Sequence, residues 1–88
     1  MSISECQMYK NKNGDRNNIS GIQIAQIRKK QVPRMSQRAL ADKMQLAGID
    51  LDKNAIQRIE SGQRFVTDIE LRVFSKVLGA SYIDLLDL

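Results

Sequence analysis

Histidine and tryptophan are missing from this chain of 88 residues, and cysteine occurs once, at Cys6. A lone cysteine forbids an internal disulfide, and without histidine it leaves no nitrogen and sulfur set to hold zinc. The same gap removes the imidazole base that a catalytic serine or cysteine needs. No glycine-rich phosphate loop is present. Asp42, Asp50, Asp68, Glu70, Asp84 and Asp87 read as caps and surface charge, not as metal or acid–base pairs. An enzyme, a metal centre and a cofactor are therefore not expected. Long apolar runs are also missing, so neither a signal peptide nor a membrane span is expected. One thiol and no export signal fit a reducing cytoplasm.

What remains is a small charged domain. Four residues are aromatic, five are glycine and one is proline. The apolar content is mostly Ile, Leu, Val, Ala and Met, which suits short helices packed on one another. A chain of this length makes one domain with limited stability to spare. The net charge of +4 is uneven. Residues 1–64 hold twelve of the fourteen basic and six of the ten acidic side chains, a balance of +6, which leaves −2 over residues 65–88. That asymmetry favours a polyanionic partner on one side, although a simple solubility charge explains the total equally well.

Residues 1–18 are polar and aperiodic, and read as a flexible N-terminal arm. Lys10, Lys12 and Arg16 there can reach phosphates, but a solvated tail is the favoured reading. Residues 19–88 repeat one device: an apolar residue, a capping residue, and a second apolar residue five positions after the first. Ile19-Ser20-Ile24, Met35-Ser36-Leu40, Leu51-Asp52-Ile56, Val66-Thr67-Leu71 and Ala80-Ser81-Leu85 each announce a helix start. Ser20 with Gln23, and Thr67 with Glu70, have the spacing of a capping box. Gly48, Gly62 and Gly79 mark helix exits, where glycine enters the left-handed region without penalty. The spacing predicts five helices, near 21–31, 36–47, 53–61, 68–78 and 82–87, and no sheet. Apolar positions three and four apart supply one core: Ile24, Ile27, Leu40, Ala41, Met44, Ala47, Ala55, Ile56, Ile59, Leu71, Phe74, Val77, Leu78, Ile83, Leu85 and Leu86.

The most informative stretch is 36–62, a helix, a glycine-marked turn and a second helix. At about 100° per residue, the second of these turns Asn54, Gln57 and Arg58 to one side, with Lys53 at the margin. Ala55, Ile56 and Ile59 face the other way. Arg and Lys donate to guanine O6 and N7, and Asn and Gln pair with adenine N6 and N7. An anchored helix with such a face is what major-groove reading requires. An ordinary solvated face is the alternative. Ser36, Gln37 and Arg38 open the preceding helix, where free amides and the dipole favour a phosphate. Gln63 and Arg64, after Gly62, are phosphate candidates for the far side, and Arg34 is a weaker one.

These pieces together resemble the Cro/phage-repressor family of helix-turn-helix regulators, the XRE family. The resemblance spans about Gly21 to Leu86. It rests on IAQIRK, MSQRALADKM, NAIQRIESGQR, and LRVFSKVLGAS running into YIDLL. It implies an all-α, compact five-helix bundle of the lambda-repressor-like type, with the helix-turn-helix formed by the second and third helices. It also implies a prokaryotic or phage transcription regulator, a repressor, which binds double-stranded DNA as a homodimer. Matching by the Ile-x-x-Ile-Glu motif places Lys53, Asn54 and Arg58, with Gln57 as a weaker fourth, at base-reading positions, and the resemblance also implies a phosphate for Gln37. It further implies a structural ion pair between Arg28 and Glu60.

Two joins depart from the family pattern. The first is about two residues longer than the common pattern, and the one from Met44 to Asp52 is about five residues longer than the family's shortest turns. An extra turn through Leu46 and Ala47 is expected to absorb the second. Ile83, Leu86 and Leu88 are a candidate dimer surface, with closure of the core as the alternative. No small-molecule effector is expected. The competing function is a protein-interaction module, such as an antitoxin-like partner, which would expose apolar side chains where the third helix here is polar.

Overall fold

Five side-chain caps define where the helices of this protein begin. A computed structural model describes residues 14–88, and the expectations for Cys6, Lys10 and Lys12 fall outside that range. The helices are α1 (Ser20–Lys29), α2 (Gln37–Leu46), α3 (Lys53–Glu60), α4 (Asp68–Leu78) and α5 (Tyr82–Leu86). No strand occurs among the described residues. Ser36, Asp52, Thr67 and Ser81 each accept from the backbone N–H three residues on, at 3.0, 2.8, 3.1 and 3.1 Å. Each bond satisfies a first-turn amide that the helix itself cannot. Thr67 and Glu70 complete a capping box, with the Glu70 carboxylate accepting from Thr67 N–H at 3.1 Å.

The first helix starts differently from the expectation. Ser20 is already helical and buried, Ile19 holds the N-cap position, and no side chain at Ile19 caps it. Asn18 does the work: its Oδ1 accepts from Gly21 N–H at 2.8 Å, the same three-residue reach as the other four caps. Because Asn18 takes that amide, the helix backbone begins earlier and Ser20 is not needed as a cap.

At their exits α2 and α3 close in the same way. Ile49 N–H donates to Met44 C=O and Gly48 N–H to Gln45 C=O; Gln63 N–H donates to Arg58 C=O and Gly62 N–H to Ile59 C=O. Both are Schellman motifs around a left-handed glycine, Gly48 at φ 93° and Gly62 at φ 87°. The long α2–α3 join is ordered by three further features. Leu51 is buried, Leu51 N–H donates to Ile49 C=O, and the Gln45 amide donates to Leu51 C=O at 3.1 Å. α2 ends at Leu46 with Ala47 as its cap, and both are exposed.

One core joins all five helices: Ile24, Met35, Leu40, Ala41, Met44, Leu51, Ala55, Ile56, Ile59, Phe74, Leu78, Ala80 and Leu85. Met35, Leu51 and Ala80 enter it as the residues that precede the caps of α2, α3 and α5. Three expected core positions differ. Ala47 is exposed because it caps the end of α2, past the last helical turn; Ile83 is exposed and Leu86 half-buried because α5 is one short turn and sends only Leu85 inward. No helix among the described residues is long and apolar enough to cross a membrane.

Candidate nucleic-acid interface

α3 is eight residues long, about 12 Å, and divides cleanly by burial. Ala55, Ile56 and Ile59 are buried, whereas Lys53, Asn54, Gln57 and Arg58 are exposed. At about 100° per residue, the four exposed side chains cover roughly 140° of the helix. Their long donors and acceptors therefore project from a helix that is fixed by its opposite face.

An open cleft of about 480 Å³ lies where α2 passes the start of α3, lined by Arg38, Ala41, Asp42, Gln45, Asp52, Lys53 and Asn54. It brings one phosphate candidate, Arg38, beside two base-reading candidates, Lys53 and Asn54. It also adds Asp42, read from the sequence as surface charge, and Gln45, which the sequence reading gave no role. The signal was their spacing on the same helix, Asp42 one turn and Gln45 two turns after Arg38. A carboxylate such as Asp42 rejects phosphate and can accept from a cytosine amino group.

The remaining phosphate candidates are more engaged than the sequence implies. Ser36 Oγ is used as the α2 cap. The Gln37 amide donates to Glu60 Oε1 at 2.9 Å. This contact has a clear cause: Gln37 stands one residue past the cap, within reach of the carboxylate at the end of α3. Arg64 makes a two-pronged pair with Glu70, at 3.0 and 3.1 Å, and also donates to Phe65 C=O. Burial alone would raise the Glu70 carboxyl. The Arg64 hydrogen bonds, the Thr67 N–H, the Arg64 charge and the Thr67 hydroxyl outweigh that, so its pKa lies below the ordinary value. Arg38 and Gln63 are exposed.

Arg28 anchors this surface from beneath. Its Nε and Nη2 donate to the Glu60 carboxylate at 2.7 and 3.0 Å, and its Nη1 donates to Met35 C=O at 3.0 Å. Both side chains of the pair are nearly buried, at 8% and 9% exposure. One guanidinium thus ties α1 to the end of α3 and to the approach of α2, and Gln37 adds a link to the same carboxylate.

Sequence reasoning missed the segment before α1. Arg16, Asn17 and Asn18, assigned to an arm, are bonded to the far end of α3. Arg16 Nη2 donates to Glu60 C=O at 2.9 Å, and Asn17 N–H to Gly62 C=O at 2.8 Å. Asn17 Nδ2 donates to Gln63 C=O at 2.9 Å, and Asn18 Nδ2 to Ile59 and Arg64 C=O at 3.0 and 2.7 Å. The available signal was Asn18 itself, since asparagine caps helices as well as serine does.

Comparison of the chain with protein families, with curated proteins and with solved structures gave no match.

Proposed function

We propose that this protein binds duplex DNA sequence-specifically through a helix-turn-helix formed by α2 and α3, and acts as a transcriptional regulator, a repressor. The observation that carries the reading is the division of α3: an outer half made wholly of Lys53, Asn54, Gln57 and Arg58, backed by a buried half. Base-edge readout needs both a rigid support and an outward hydrogen-bonding face. The likeness of MSQRALADKM and NAIQRIESGQR to the Cro/phage-repressor family supports the same assignment. In this reading Arg38 and Gln63 take phosphates on either side of the groove, and Arg64 joins them when it leaves Glu70. Gln37 acts mainly through Glu60. The protein binds as a homodimer across a near-palindromic site, with the exposed Ile83 and Leu88 of the α5 end at the pairing surface.

One observation favours a second reading, a protein-interaction module. Phe65, Ile69 and Tyr82 are large apolar side chains with about half their surface exposed. They lie on α4, α5 and the loop before α4. A salt series with a labelled mixed-sequence duplex tests the DNA reading. Binding that weakens linearly in the logarithm of salt, and weakens further in Arg58→Ala, supports it. Absence of binding at every salt concentration favours the interaction module.

A further inference from the structure

The C-terminal end of a recognition helix carries carbonyls that no helical amide can reach. In this protein the segment before α1 covers them. Arg16 spans the Ile59 and Glu60 carbonyls, at 3.5 and 2.9 Å from Nη2. The next two residues hold carbonyls of the last turn of α3 and of the loop after it: Asn17 takes Gly62 and Gln63, and Asn18 takes Ile59 and Arg64. A cation at a helix C-terminus also meets the negative end of the dipole. The fit is close. A Cβ on Gly62 would stand 2.8 Å from Arg16 Cζ, and one on Gly21 would collide with Ile59 C=O. α1, the segment before it and the end of α3 therefore form one locked joint.

We propose that Arg16 and Asn17 are positioning residues for DNA reading, which hold α3 and the 62–64 loop at the angle from which Arg58, Gln63 and Arg64 meet the duplex. This rests on the DNA reading above. The Gln63 and Arg64 backbones have few other ties. Their N–H groups share the Arg58 carbonyl, and their own carbonyls are held by Asn17 and Asn18. Without the Asn17 bonds the loop pivots on Gly62, which sits at φ 87°. A phosphate contact displaced by an ångström weakens specific docking. A diffuse electrostatic contact tolerates the shift, because it depends on charge count and not on register.

The test combines Arg16→Lys with Asn17→Ala, which leaves net charge unchanged, in the full chain and well below its melting temperature. Affinity is measured for a duplex enriched from a random library and for a mixed-sequence duplex, alongside amide exchange at Gln63 and Arg64. The expected result is roughly tenfold weaker binding to the enriched duplex, the loss of one to two hydrogen bonds. The mixed duplex should change less than about twofold, and both amides should exchange faster. Arg16→Lys alone should recover part of the loss. Unchanged specific affinity, or unchanged exchange, overturns the positioning role while leaving the DNA reading intact. An equal loss on both duplexes also overturns it and points to general destabilisation. A wild-type chain that binds no duplex, or binds all alike, overturns the DNA reading and the positioning role with it.

Discussion

Arg28 is a full positive charge with 6% of its surface exposed, and it is tolerable there only because each of its three nitrogens meets an oxygen. Replacing Glu60 by alanine leaves that charge without its counter-ion and also strips Gln37 of a partner. The expected cost is about 3–5 kcal/mol, far above that of a surface pair. Urea unfolding of Glu60→Ala checks this, and an unchanged midpoint would mean that the pair has no role in the fold. The Arg64–Glu70 pair is more exposed and behaves differently. Its carboxyl is depressed in the folded chain, so its contribution to stability is complete above the ordinary carboxylate pKa. It is lost as pH falls through the lower, folded value. The stability gap between wild type and Glu70→Gln should therefore shrink on acidification. A gap that stays constant with pH would remove Arg64 pairing as its source. The spacing of Arg28 and Glu60 was legible through the family resemblance. The diversion of Gln37 and Arg64 was not, because a local motif shows what a side chain can bind and not which folded neighbour reaches it first.

The helices themselves were well marked by sequence. An apolar residue before each of Ser36, Asp52, Thr67 and Ser81 announced a cap, and each cap is formed in the structure. Thr67→Ala should cost about 1 kcal/mol, since it removes one half of a capping box; thermal unfolding would register it, and no shift in midpoint would show that α4 is held by packing alone. α1 was the exception. Ser20 fitted the pattern, but Asn18 is bonded on both sides, to Gly21 N–H and to the end of α3, and that tertiary anchoring decides the start. The same joint makes Gly21 irreplaceable. A methyl group there meets Ile59 C=O and Asn18 Oδ1, and backbone cannot yield as a flexible side chain can. Gly21→Ala is expected to lose about 2 kcal/mol or more, roughly 10 °C in melting temperature. Wild-type stability in that variant would mean that α1 and α3 sit further apart than described.

For the molecule as a whole, the pattern of apolar residues was enough to give an all-α five-helix bundle and most of its core. The ends were harder to read. α5 is too short for periodicity to show which of Ile83, Leu85 and Leu86 turns inward. The segment at 16–18 looked like a polar tail because its hydrogen bonds run to residues more than forty positions away. The basic excess over residues 1–64 and the polar outer half of α3 are the two features on which the proposed duplex recognition rests, a proposal in which phosphates supply affinity and four side chains supply selectivity. The most direct measurement is a selection from a random duplex library with the purified protein, repeated with Asn54→Ala and Arg58→Ala. A defined, near-palindromic motif that loses information at particular positions in each variant is the predicted result. Binding without any enriched motif, or a motif that neither substitution alters, would contradict readout by α3.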